Sequence, residues 1–362
     1  MLVALAAIAG FFAVRSPAFL GARNLSMLAI ELSITAILAL GMLLVIVPGQ
    51  IDLSVGSGVG LFGGVASVLV FRHGWPAPLA MALVLAIGVV VWLAMGALIV
   101  RQKVPSFIAT LGGLLVFKGL HWLVIENGTV PVVWGGKTNL YSALTTYYLP
   151  PPAGLVLAGL VAVAMARATF AARRRRRSLA LGVDDAAFLK FLVATQGILL
   201  FVLVANRYRG VPLVAVLLAA IGWAVSVLLQ KTPFGRHLYA VGGNEEAAIV
   251  SGIAVDRTVI LAFGIMGAIV AVTALLETAF AGASTATVGS LMELDAIAAC
   301  VIGGTSLRGG RGHVLGVLFG ALIMATLLNG MTLLAVAPEL KLLVRGVVLV
   351  LAVWLDAWLA RR

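Results

Sequence analysis

The sequence predicts an all-α membrane protein with about twelve transmembrane helices (10–12), some of them broken or re-entrant, forming a single polytopic domain over residues 1–362. Three observations predict it. Of the 362 residues 62% are hydrophobic and 10% charged, and mean hydropathy is +1.16, more apolar side chain than one soluble core of this size could bury. Apolar runs of roughly 17 to 25 residues recur between short polar breaks, the length a helix needs to cross hydrocarbon. The runs are continuous rather than alternating, unlike the strands of a membrane β-barrel.

Helical segments are expected near 1–14, 25–47, 54–71, 78–100, 106–125, 153–172, 186–205, 212–229, 258–280, 294–305, 314–333 and 342–358. The first run, Met1 to Val14, is short of a full span. It lacks a basic n-region and a small-residue cleavage site, so it does not read as a signal peptide, and a trimmed start would explain its length. Between the second and third segments, Pro48-Gly49-Gln50-Ile51-Asp52-Leu53-Ser54 reads as a helix break. The third carries Gly58, Gly60 and Gly63 in a G-x-G-x-x-G pattern, but within an apolar span and with no strand before it; close helix packing is the better reading. Residues 153–210 read as a helix pair joined through a polyarginine run, Arg173 to Arg177. Residues 231–257 are a polar island, and 294–305 is a short, glycine-ended segment suited to a broken or re-entrant helix.

The net charge of +12 follows topology rather than nucleic-acid binding, because the basic residues are scattered among loops without interleaved aromatics. With the island in the cytoplasm, Arg101, Lys103, Arg173 to Arg177, Lys231, Arg236, Arg257, Arg308, Arg311, Arg361 and Arg362 fall inside. Arg15, Arg23, Arg72, Lys137, Arg207, Arg209, Lys341 and Arg345 fall outside. The inward excess obeys the positive-inside rule and sets both termini in the cytoplasm. The lone cysteine, Cys300, lies in an apolar run, reads as a packing residue and leaves no intrachain disulfide.

The chain shows no chemistry of its own. Gly136-Lys137-Thr138 resembles the end of a phosphate-binding loop, but Pro131 stands where the leading glycine is required. The histidines His73, His121, His237 and His313 are spread over different segments, and no nucleophile stands with a base.

The island is more informative. Asn244 is a good N-cap, Glu245 and Glu246 place negative charge in the first turn, and Gly252 can take the left-handed conformation that ends a helix. A helix of about two turns, roughly 10 Å long, is expected. Ala247 and Ala248 leave its flank bare, and Gly242 and Gly243 are expected to let it stand off from the membrane. Taken alone, the pattern also fits an ordinary capped helix in a loop.

Glu246-Ala247-Ala248 followed by Gly252 resembles the E-A-A-x-x-x-G loop by which membrane subunits of bacterial ABC importers grip their ATPase. Four ordered blocks sharpen the resemblance: GQIDLSVGS at 49–57, VPSFIATLGGLLVFKGL at 104–120, FGRHLYAVGGNEEAAIVSGI at 234–253 and ELDAIAACVIGGTSLRGGRGHVLG at 293–316. They resemble permease subunits of ABC monosaccharide importers of the ribose, xylose, arabinose and galactose type. The pair at 153–210 is similar to the xylose branch and points to a pentose such as D-xylose. The resemblance implies a bacterial inner-membrane permease working as two copies in the lipid bilayer, fed by a periplasmic sugar-binding protein. A separate ATPase subunit would use ATP and Mg, with no cofactor held by this chain.

For a neutral sugar the pathway needs hydroxyls and amides. Gln50, Asp52 and Ser54 at the break, Glu293 and Asp295 before the short segment, and Asn329 are the candidates. Asp52, Glu293 and Asp295 are equally readable as helix caps, and Lys118 reads as a snorkelling residue. Gly303, Gly304, Gly309, Gly310 and Gly312 suit a tight inner turn. A nucleoside or branched-chain amino acid permease is the second reading. A secondary transporter or channel is the third, disfavoured because the acids cluster near span ends. An intramembrane enzyme ranks last.

Overall fold

The computed structural model describes residues 1–133, 138–178 and 185–359. The chain is helical, α1 Leu2–Arg15, α2 Ala22–Ile46, α3 Val55–Phe71, α4 Ala77–Arg101 and α5 Ser106–Ile125 coming first. Next come α6 Leu140–Thr146, α7 Pro151–Ser178, α8 Asp185–Ala205, α9 Leu213–Lys231, α10 Pro233–Gly243 and α11 Glu245–Val250. The last four are α12 Val255–Ala281, α13 Met292–Ile302, α14 Val314–Leu333 and α15 Pro338–Leu359. Among the described residues seven helices are long and apolar enough to cross a membrane, within α2, α4, α5, α7, α9, α12 and α14. Shorter apolar helices are α1, α3 and the Phe191–Ala205 part of α8.

The core sits on α2 and α12. Residues Ala36 to Val47 of α2 and its end are buried on every side, as expected of a helix hydrophobic all round. The long α12 packs against α4, α3 and α2, while α2 also meets α9, α13 and α14. Small residues set the crossings. Where α4 meets α12, a methyl on Gly88 would meet the Gly267 carbonyl and one on Gly267 the Gly88 carbonyl, so the backbones touch. The G-x-G-x-x-G face of α3 does the same: Gly58 receives the Trp92 ring, Gly60 the Val288 carbonyl and Gly63 the Thr278 side chain.

Two helices were not legible as such. The short α6 is held by a capping box between Asn139 and Ser142, and its buried Tyr141 hydrogen-bonds Thr278. The island holds α10 before the expected two-turn helix: Thr232 Oγ1 accepts the Gly235 N–H at 3.2 Å, Pro233 starts the first turn, and Leu238 and Val241 face the core. Its composition hid it, because its apolar face is one stripe rather than a run.

Two short antiparallel ladders close connections at the end of the bundle away from the island. β1 (Val130–Pro131) pairs with β4 (Ala283–Ser284), and β2 (Tyr148–Leu149) with β3 (Val211–Pro212). The α7–α8 pair forms an antiparallel hairpin, with Gly154 near Val202 and Val211, and a small apolar cluster of its own. The Gly136-Lys137-Thr138 motif and Arg361 and Arg362 fall largely or wholly outside the described residues, as do the side chains of Arg175 to Arg177.

Replacing Gly267 by leucine is expected to destabilise the detergent-solubilised protein by about 1–3 kcal/mol through overpacking against α4. The check is a thermal-aggregation midpoint beside that of the wild type, which should lie clearly higher.

Candidate functional site

The candidate residues lie at the two ends of the bundle, separated by the length of α12, about 40 Å for its 27 residues, and in the chain break inside it.

At the island end, α11 follows the expected chemistry. Asn244 Oδ1 accepts the Ala247 N–H at 2.9 Å, with Glu245 and Glu246 in the first turn. At the other terminus Gly252 has φ +79°, its N–H donates to Ile249 O at 2.9 Å, and the Ile253 N–H donates to Ala248 O at 3.0 Å. That pairing is a Schellman closure with glycine in the left-handed position. Ala248 is buried, whereas Glu245, Glu246, Ala247, Ile249 and Val250 are exposed, Val250 to 88%. This short helix thus exposes an isoleucine and a valine beside two acids.

Gly242 corrects an expectation. It is no loose linker: its missing side chain lets the end of α10 lie on the Val47 carbonyl and on Gly310. The Val47 carbonyl in turn accepts the Gly310 N–H at 2.9 Å. Gly243 meets open space on its side-chain side. The 303–313 segment is a tight turn, with Gly304, Gly309 and Gly310 at φ +84°, +85° and +74°, and Tyr239 Oη donates to Gly312 O at 2.7 Å. The root of α11, this turn and the end of α2 are thus tied together. Tyr239 lies in the island, and burial raises its pKa above the usual tyrosine value.

The Val47–Ser54 break runs inside the bundle. Asp52 has 0% exposure; its Oδ1 accepts the Ser54 N–H at 2.8 Å and the Ser54 hydroxyl at 2.6 Å, and its Oδ2 accepts Trp92 Nε1–H at 2.6 Å. The Ile51 N–H donates to Ser106 Oγ at 3.3 Å, and Thr110 Oγ1 donates to Ile51 O at 3.2 Å. Asp52 and Ser54 are therefore enclosed and occupied in holding the break, while Gln50 is half-buried at its start.

At the far end α13 begins in a left-handed Leu291, φ +64°, and its first turn sends its two acids to different neighbours. Glu293 lies against Gly56 of α3, in space that a side chain there would take. It lines a cavity of about 200 Å³ with Ser57, Lys118, His121 and Ser290. His121 Nε2 is 3.1 Å from Ser284 Oγ, and Lys118 Nζ stands 5.7 Å over the Trp122 ring, leaning toward the helix end. Asp295 instead pairs with Arg345 of α15 at 3.3 Å, its Oδ1 buried without a hydrogen-bond partner. Asn329 joins a third group: it accepts from Asn24 Nδ2 at 2.9 Å and donates to Glu31 Oε2 at 3.1 Å. Its neighbour Gly330 seats the Phe12 ring of α1, a packing role.

Sequence reasoning missed Glu31, Trp92 and His121. Glu31 stood in an apolar run about 13 Å inside its helix, and an acid at that depth was itself the signal. Trp92 and His121 carried none, because only the fold shows their partners.

Seven helices long and apolar enough to cross a membrane, with a capped helix at one end of the bundle and a small cavity at the other, fit a membrane transport subunit. The comparisons agree, and the chain belongs to the family described as branched-chain amino acid transport system / permease component, whose model matches residues 24–353. It is similar to the xylose transport system permease protein of Haemophilus influenzae, 41% identical over 359 residues, covering 98% of this chain and 95% of the relative. The xylose transport system permease protein of Escherichia coli K12 is 40% identical over 365 residues, covering 100% and 92%. The ribose import permease protein of Bacillus subtilis is 35% identical over 341 residues, covering 94% and 87%. No solved structure matches. The chain is thus a multi-pass permease subunit of an ABC importer, as the four sequence blocks implied.

Asp52→Asn is expected to lower stability by about 1–3 kcal/mol, because an amide cannot accept from Trp92 and Ser54 at once and leaves a buried donor unpaired. Urea or thermal unfolding in detergent reads it, and Trp92→Phe should show a loss of the same sign.

Proposed function

We propose that this chain forms the translocation pathway of an importer for a pentose, with D-xylose as the substrate. The observation that carries this reading is full-length similarity to two xylose permeases, stronger than that to the ribose permease. Ribose is the second reading, supported by that more distant relative.

Two copies pair in the bacterial inner membrane with both termini in the cytoplasm, and a periplasmic binding protein delivers the sugar. A separate ATPase uses ATP and Mg. Its subunits seat against Asn244 to Gly252, where Glu245 and Glu246 supply charge and Ile249 and Val250 an apolar anchor. Because Gly242 touches both Val47 and Gly310, a push on α11 reaches the end of α2 and the 303–313 turn without slack. That turn lies where an inner gate would open, and the two-fold ATPase closure supplies the stroke.

The pathway residues divide by their surroundings. Glu293 faces the cavity, Asp295 and Asn329 stand in neighbouring polar groups, and Gln50, Asp52 and Ser54 shape the break that the path passes.

Glu246→Lys is expected to leave folding intact and uncouple transport. A reversed charge at a docking surface costs several kcal/mol, so sugar uptake falls more than about tenfold. Val250→Asp should act alike. Unchanged uptake with normal complex assembly would refute the coupling role. Radiolabelled uptake with xylose and ribose in competition decides between the two substrates.

A further inference from the structure

We infer that the cavity between α3, α5 and the 285–293 segment is a contact site for the hydroxyl groups of the travelling sugar, an inference that rests on the sugar-permease reading above. The cavity holds about 200 Å³, smaller than the roughly 300 Å³ at which sites for drug-sized ligands begin and suited to a single small ring.

Its chemistry matches a neutral polyol. Glu293 can accept from two hydroxyls, Lys118 donates, Ser57 and Ser290 do both, and Leu114 offers hydrocarbon to the C–H face of a ring. One acid faces one base, so the lining attracts no net ionic charge. A polyol with several hydroxyls is the ligand such a set satisfies, whereas an apolar or singly charged one leaves groups unpaired.

The fold makes room for this set. Glu293 is 8% exposed, and only because residue 56 is glycine can its carboxylate lie against α3. Gly289 at φ +79° sits on the Gly56 carbonyl, which brings Ser290 alongside. His121, buried and bonded to Ser284, forms the floor.

The setting requires water rather than lipid. Lys118 lies seven residues before the end of α5, about 10 Å along its axis, on a face shared with exposed Leu111, Leu115 and Trp122. A lysine and a glutamate at one opening belong in a water-filled space covered by protein. α13 adds to this: with eleven residues, about 16 Å, it is too short to span, and breaks of this kind border substrate sites in transporters.

Cys300 is the one cysteine in the sequence and is buried, so introduced thiols can be read individually. Ser57→Cys and Ser290→Cys, each in the assembled permease–ATPase complex in membranes, are to be labelled with a small hydrophilic methanethiosulfonate. Both should react, and millimolar D-xylose should slow the reaction several-fold while leaving unchanged the labelling of Leu340→Cys, exposed in the first turn of α15. Failure to react, or equal rates with and without sugar in a complex that transports xylose, overturns the site. Glu293→Gln should lower xylose uptake about tenfold or more at equal complex assembly, the effect of losing a hydrogen bond to a charged group. Unaltered uptake in that variant also overturns it. If the unsubstituted complex carries no xylose, the substrate reading fails instead; protection by the sugar it does carry then supports the cavity, and absence of protection overturns it.

Discussion

An interrupted chain inside a helical bundle must find partners for every backbone group that the helix no longer serves, because hydrocarbon offers none. The Val47–Ser54 break obeys that constraint through side chains from two helices, Trp92 of α4 and Ser106 and Thr110 of α5, with Asp52 at the centre. A carboxylate that is fully enclosed is tolerable when three donors surround it, and here Ser54 supplies two and Trp92 the third. The break sets where α3 begins, and α3 carries the glycine face that receives Trp92, His121 and Glu293. The cavity beside Glu293 opens against that glycine-bearing helix through Ser57.

The two ends of the molecule are linked by rigid parts. At one end Gly242, Gly310 and the Val47 carbonyl meet backbone to backbone, a junction with no side chain to absorb movement. From there α2 runs to the end that holds Glu31 and Asn24, and α12 runs beside it to Glu277. Close contact between α12 and α4 through Gly88 and Gly267 keeps these rods in register. In the proposed mechanism a displacement of α11 would be transmitted as a shift of whole helices, which packed interiors permit in discrete steps rather than by gradual bending.

The fold was legible where local physics decides it. The long apolar runs could only be helices, and the island announced α11 through Asn244 and Gly252, whose roles depend on neighbours within a few residues. α10 and α6 were hidden because their helicity depends on one buried stripe or on Tyr141 reaching Thr278, contacts made with distant parts of the chain. The site divided in the same way. Glu293 and Asp295 stood out as acids beside a short segment, but only two residues apart on a helix they face different partners, Gly56 and Arg345.

The amino-acid order by itself determined the solvent, the helical class, the capped helix α11 and, through four ordered blocks, the permease family, because each rests on composition or short-range spacing. Only the tertiary structure decided that Asp52 is a bound strut, that Gly242 is a contact point and that Lys118, His121 and Glu293 share a cavity with Ser57 and Ser290. Those cavity residues come from α3, α5, the segment before α13 and α13 itself, from 57 to 293 in the chain, and nothing in the sequence states which helix faces cross. Glycine-mediated packing sets those crossings, and a glycine's partner is visible only once the helices have met.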